Sequence, residues 1–219
     1  MTSLSQPQSS RPALRSPLET WFQTSWSPQP ATEKVALRFR DCSGRPRFGC
    51  KGPAAQAWLA SAGFAVTPLP NTARFASGEL VARVATSEFL IESLSEAHGH
   101  VESTAQQLDH GRRPPGVYPV ARQDLVVEIA GIAVNALLRQ ICSVDFSYHF
   151  AARDPDTHPI ILTSMAGVGV VAWPRQARSE QAVTLWIDPS FAHYFWTTLL
   201  TVGRDLGDLV ILKSNGAQE

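Results

Sequence analysis

Phe48-Gly49-Cys50-Lys51-Gly52-Pro53-Ala54-Ala55-Gln56-Ala57-Trp58-Leu59 reads as a short apolar strand, a tight turn and the first turns of a helix. Proline suits the first helical position, where its missing N–H would be unpaired anyway. The glycine before it can take a non-helical angle without a Cβ clash. The same text returns as Val127-Glu128-Ile129-Ala130-Gly131-Ile132-Ala133-Val134-Asn135-Ala136-Leu137-Leu138. Aligned on Gly52 and Gly131, the two stretches share Ala54 with Ala133, Ala57 with Ala136 and Leu59 with Leu138, and Leu137 stands opposite Trp58. The chain reads as a duplication, with a strand-turn-helix seed in each half.

Working outward from the first copy, Val35 to Phe39 alternates as a strand, and Asp41-Cys42-Ser43-Gly44-Arg45-Pro46 is a turn. Gly63 stops the helix that begins at Pro53. Glu79–Ala85 and Glu88–Glu92 form a hairpin around Thr86-Ser87, and a helix covers Ala97 to Leu108. His110-Gly111-Arg112-Arg113-Pro114-Pro115-Gly116 is a hinge between halves. Beyond it come a strand at Leu125–Ile129 and a helix at Ala133–Ile141. Strands at Ile160–Ser164, Val168–Trp173 and Val183–Ile187 follow, then a long helix from Pro189 to about Asp205. The expected class is α+β, with two similar β-α-β-β-α halves at 34–110 and 117–212 in layers of the ferredoxin-like type, forming one compact domain. Residues 1–33, where Ser, Pro and Gln supply 16 of the first 30 positions, read as a disordered or docking tail. Three aromatics, Trp21, Phe22 and Trp26, interrupt it.

Composition narrows the function classes. Nineteen basic residues balance nineteen acidic ones, which leaves no electrostatic footprint for nucleic acid or an anionic membrane. Near-zero net charge does little to keep a lone monomer soluble, which favours life inside a complex. Six tryptophans and ten phenylalanines either fill the core or supply interfaces, where aromatics are enriched. Three cysteines without Cys-x-x-Cys spacing, no signal segment and no apolar run of roughly 18–20 residues read as a cytoplasmic chain with reduced thiols.

No motif supplies a catalytic set. Lys51-Gly52 lacks the Gly-x-x-x-x-Gly-Lys and following Ser or Thr of a phosphate loop. Gly167-Val168-Gly169-Val170-Val171-Ala172 has the letters of a dinucleotide fingerprint, but its Val-rich text runs on as strand instead of opening a helix. His98, His100 and His110 have no Cys or carboxylate at a recognised spacing to complete a metal shell. Asp145, Asp154, Asp156, Ser147 and His158 lie near one another without a nucleophile elbow. Cys50 and Cys142 sit in apolar text as buried fillers. The expectation is no catalytic, cofactor-binding or metal-ligating residue on this chain.

An ordered series of motifs does carry a resemblance: Asp41-x-Ser43, Arg47-Phe48-Gly49-x-Lys51-Gly52-Pro53, Trp58-Leu59, Pro70-Asn71, Gly78-x-Leu80-Val81-Ala82-Arg83 and Glu88-Phe89-Leu90. In the second half it continues with Gln123-Asp124, Ala130-Gly131, Cys142-x-Val144-Asp145, Leu162-Thr163-x-x-Ala166-Gly167-Val168, Trp186, Asp188 and Tyr194-x-Trp196. The chain resembles the gamma subunit family of heterotetrameric sarcosine oxidase, which is related to the folate-binding fold of the glycine-cleavage T-protein. Ala130-Gly131-Ile132, where Gly-Pro is commoner, and the longer N-terminal tail depart from that pattern.

The resemblance implies a non-catalytic subunit of an oxidoreductase complex that oxidises sarcosine to glycine. The one-carbon unit passes to tetrahydrofolate, and hydrogen peroxide is the co-product. FAD, FMN, NAD, tetrahydrofolate and zinc are then carried by the alpha, beta and delta partner subunits, and this chain packs on alpha. The alternatives are the equivalent subunit of an N-methylglutamate dehydrogenase and a free-standing folate-binding protein. The subunit interface is expected at Trp21, Trp26, Trp173, Phe191, Tyr194 and Trp196.

Overall fold

Alternation along Leu37-Arg38-Phe39-Arg40-Asp41 buries Leu37 and Phe39 on one side of a strand, and the same rule organises most of the chain. The computed structural model describes residues 14–25, 35–95, 99–109, 113–150, 156–177 and 180–213. In chain order these give α1 (Glu19–Ser25), β1 (Leu37–Asp41), β2 (Arg47–Lys51), α2 (Ala55–Ser61), β3 (Thr72–Ala76), β4 (Glu79–Ala85) and β5 (Glu88–Ser93). Next come α3 (Gly99–Asp109), β6 (Tyr118–Val120), β7 (Leu125–Ala130), α4 (Val134–Ile141) and α5 (Ser147–Phe150). The last elements are β8 (His158–Pro159), β9 (Ile161–Met165), β10 (Val168–Ala177), β11 (Glu180–Ile187), a 3₁₀ turn (Pro189–Phe191), α6 (Ala192–Asp205) and β12 (Leu209–Leu212).

The strands form two six-stranded sheets, ordered β12-β1-β7-β11-β10-β9 and β6-β2-β5-β4-β3-β8. Helices α1, α4, α5 and α6 cover one face of the first sheet through a core that includes Phe39, Val127, Leu137, Leu185, Phe195 and Trp196. Helices α2 and α3 cover one face of the second through Phe48, Leu59, Phe89, Ile91, Val101 and Leu108. The two remaining faces meet through Leu80, Ala82, Leu90, Val126, Trp173 and Trp186. The fold is therefore α+β in four layers, helices outside and two stacked sheets within.

Set β1 aside and the sheets have the same order of neighbours, with β6, β2, β5, β4 and β3 answering to β12, β7, β11, β10 and β9. The expected β-α-β-β-α halves are corrected in two respects. Each helix-to-helix segment is a three-stranded meander, because Thr72–Ala76 adds a strand where the sequence suggests only a loop after Pro68 and Pro70. The halves also do not each close on themselves. β1 lies between β7 and β12, and β8 pairs with β3 through Thr72–Pro159 and Ala73–His158.

The hydrogen bonds around the two opening turns match one for one. Gly52 N–H donates to the Ser87 carbonyl and Gly131 N–H to the Gln181 carbonyl, at 2.9 and 3.1 Å. Ala54 N–H donates to the Gly116 carbonyl and Ala133 N–H to the Ala36 carbonyl, both at 3.1 Å. Each helix start thus obtains an acceptor from the chain about to enter the neighbouring strand, β6 in one sheet and β1 in the other. That chain passes so close that a Cβ on either glycine would strike the same carbonyl oxygen, and φ is 123° at Gly52 and 137° at Gly131. Pro53 lies in the turn, two residues before the first residue of α2. Pro53 also lies against the crossing chain, its Cγ 3.4 Å from where a side chain on Gly116 would begin. Nothing in the structure explains why the lysine and proline occur in one copy only.

Residues 14–25 pack on the body. Leu18 and Phe22 are buried, Trp21 stacks edge-on to Trp196 at 5.4 Å, and the Ser16 hydroxyl donates to the Asp41 carboxylate. On the opposite side His100, in the first turn of α3, directs Nδ1 at Glu79 Oε1 (2.8 Å) and Nε2 at the Ala62 carbonyl (2.9 Å), with its ring stacked on Phe64. Both nitrogens face acceptors, so only the imidazolium satisfies both. Partial burial pulls its pKa down, but the Ala62 carbonyl and Glu79 carboxylate prevail and hold it above the ordinary 6.5.

Two outcomes follow. Gly52→Ala and Gly131→Ala are each expected to lower the unfolding free energy by ~2–4 kcal/mol in urea titrations. Gly169→Ala, where an added Cβ meets nothing within 4 Å, is expected to stay within about 0.5 kcal/mol. Because the folded pKa of His100 is raised, its clamp contributes fully below the unfolded value and is lost as pH rises through the folded one. His100→Gln is therefore expected to lower Tm more at about pH 6 than at about pH 8.

Candidate functional site

Polar side chains enter the layer between the sheets at positions that alternate with core residues on their strands. Arg47 and Glu92 project from β2 and β5 of one sheet, and Glu128, Arg175, Thr184 and Trp186 from β7, β10 and β11 of the other. Glu92 is wholly buried; Trp186 Nε1 donates to its Oε2 at 2.7 Å, and Arg45 and Arg47 lie 3.5 and 3.6 Å from its oxygens. Arg45 also reaches Glu128 at 3.7 Å, and Arg175 donates to Glu128 Oε2 at 2.5 Å. Arg47 donates to the carbonyls of Ser43 and Asp124. At the β1–β2 corner, Asp41 accepts the Ser43 N–H at 2.9 Å, and Ser43 Oγ accepts the Val126 N–H at 3.0 Å.

Burial pushes the Glu92 carboxyl up, against the pull of Arg47 and Arg45. For Glu128 burial is outweighed by Arg175, Arg45 and Arg40, and its pKa stays below the ordinary carboxylate value. Glu92 has no path to solvent, so this group holds one sheet to the other and is not placed to exchange protons with a substrate. Burial also pushes the thiols of Cys42 and Cys50 up to about 12, which removes their thiolate character.

A cleft of about 630 Å³ opens beside this network. Its walls include Arg122, Asp124, Leu162, Gly169, Trp186 and Asp188. Arg122 donates to Glu88 at 2.7 Å, and Asp124 is bracketed by Arg122 (3.9 Å) and Arg47 (4.0 Å). Burial raises the Asp124 pKa in spite of both arginines. Asp188, exposed at the rim, accepts the N–H and hydroxyl of Ser190, which keeps its carboxyl below the usual range.

The residues expected at an interface separate into two groups. Trp173 and Trp196 are 3% and 0% exposed and belong to the chain's own core, so they offer no surface as the chain is folded. Trp173 lies under Arg175 (4.5 Å) and near Phe75 and His158, while Trp196 packs on Phe39, Trp21 and Phe22. Phe191 and Tyr194 are 48% and 55% exposed, and Trp21 is half-buried. Trp26 lies outside the described residues, as do His98, His110 and Asp154. Gly167 forms the two-residue β9–β10 turn with Ala166, both at positive φ, in keeping with strand and not a dinucleotide loop. Ser147 Oγ accepts from Asn135, and the Ser147 N–H donates to the Asp145 carboxylate. Among the described residues, no group of three or more His, Cys, Asp or Glu side chains could hold a metal, and no helix is long and apolar enough to cross a membrane.

No protein-family model and no curated protein matches the chain. Among solved structures, it is similar to a chain of the heterotetrameric sarcosine oxidase from Corynebacterium sp. U-96 in complex with pyrrole 2-carboxylate, at 22% identity and a TM-score of 0.66. That match covers 88% of this chain and 95% of the oxidase chain. It is also similar to the glycine cleavage system aminomethyltransferase T from Bartonella henselae, at 12% identity and a TM-score of 0.62, over 91% of this chain and 60% of that one. The architecture is thus shared with both proteins, and at these identities it is the fold that is shared.

Removing one member of a buried ion pair leaves the other uncompensated. Arg47→Met is therefore expected to cost ~3–5 kcal/mol in denaturant titrations, because neither its side chain nor that of Glu92 is exposed. Arg38→Met, which breaks the half-exposed pair with Glu180, is expected to cost less than about 1 kcal/mol.

Proposed function

We propose that this protein is a non-catalytic subunit of an oxidoreductase complex of the heterotetrameric sarcosine oxidase kind. In this reading it packs against the larger subunits, and those partners carry the flavins, NAD, the folate site and zinc. The carrying observation is the match over 88% of this chain to 95% of one sarcosine oxidase chain. The aminomethyltransferase, by contrast, is matched over 60% of its length.

The cleft supports the same reading over that of a free-standing folate carrier. A pterin needs a flat face to stack on and an acidic group for its N–H edge. Trp186, the aromatic wall, is 2% exposed, so its ring face is already covered. Asp124 is engaged with Arg122 and Arg47 inside the chain. The exposed aromatics Phe191 and Tyr194 lie instead on an outer surface, where such side chains serve as interface anchors.

Co-expression with the reading frames adjacent to its gene, followed by gel filtration, tests the proposal. The chain is expected to elute within a larger complex in fixed stoichiometry; a chain that elutes alone contradicts it.

A further inference from the structure

The four sheet edges are not managed alike. β6 carries Pro119 in mid-strand, and β8 is two residues long and includes Pro159. β12 runs on to Lys213, whose Nζ lies 5.8 Å from the Phe22 ring of α1. The fourth edge, β9, is Ile161-Leu162-Thr163-Ser164-Met165, five residues with neither a charge nor a proline. An edge without such devices is a template for another strand.

The inner correspondence of the sheets sharpens the point. β9 answers to β3, and the outer side of β3 is occupied by the extended segment β8. Among the described residues nothing equivalent lies on β9. The β9–β10 hairpin closes on Met165 and Val168 around a two-residue turn, so Met165, Thr163 and Ile161 direct their backbone groups to β10. Leu162 and Ser164 therefore turn their N–H and C=O groups outward, and both residues are exposed, Leu162 by 52%.

We infer that the outer edge of β9 receives an extended segment of a partner chain as a further strand, and that this segment continues over Gly169 to set a basic side chain against Asp188. Gly169 leaves the cleft floor open, since nothing lies within 4 Å of where a side chain would begin. The cleft's own cation, Arg122, is already tied to Glu88, and Asp188 accepts both Ser190 hydrogen bonds through Oδ1, so its exposed Oδ2 faces an incoming lysine or arginine. Leu162 and Pro189, both in the cleft wall, offer apolar surface beside that path. Main-chain bonds supply affinity in such additions and side-chain pockets supply specificity.

This inference rests on the subunit reading, and one experiment separates their failures. Amide hydrogen exchange is measured on the isolated chain and on the co-expressed complex. The Leu162 and Ser164 amides are expected to exchange fast in the first and at least about tenfold more slowly in the second. Ser164→Pro removes the outward N–H at a position where an edge strand tolerates proline, and is expected to weaken assembly at least about tenfold with the isolated chain's Tm little changed. A complex that forms while both amides exchange as in the free chain overturns the edge assignment and leaves the subunit reading standing. A wild-type chain that elutes alone overturns both, because the edge then has no chain to receive.

Discussion

The structure depends on two points where a chain passes so close to a turn that only glycine fits. At Gly131 the passing chain is the approach to β1, and its Ala36 carbonyl accepts from Ala133 at the start of α4. At Gly52 it is the approach to β6, and its Gly116 carbonyl accepts from Ala54 before α2. An unpaired N–H at a buried helix start costs free energy, and the crossing chain removes that cost. In doing so it fixes β1 between two strands of the later part of the chain. Neither sheet is complete without a strand from the other part, and the Arg45, Arg47, Glu92 and Glu128 network then joins them across the inner layer.

The seed turns were legible because the shared glycine sits at the same crossing in both copies and the shared leucines, Leu59 and Leu138, are buried under their sheets, although the shared Ala57 and Ala136 are exposed. Strands β4, β5, β7, β10 and β11 were equally legible, since they are short apolar runs rich in Val, Ile and Leu. What the sequence concealed is the second covering of each sheet. Arg47, Glu92 and Glu128 alternate with core residues and read as a wet face. The stacking of two sheets buries that face, which no single strand can announce. β6 and β3 escaped notice for a local reason, the prolines at 119, 68 and 70, while β12 is a four-residue strand that follows Gly207.

The aromatic residues show the same division. Trp196 and Tyr194 are two apart on one helix, yet one is in the core and the other faces outward. Helical periodicity places them on different faces, whereas counting aromatics in a stretch puts them together. Tyr194 also donates to the Ala166 carbonyl at the β9–β10 turn, which ties the start of α6 to the hairpin that carries the open edge.

Under the proposed subunit role, the chain would contribute contacts to a complex and leave folate to its partners. Isothermal titration of the purified, isolated chain with tetrahydrofolate measures that division directly. No saturable heat is expected up to millimolar folate; saturable binding with a micromolar dissociation constant would contradict it.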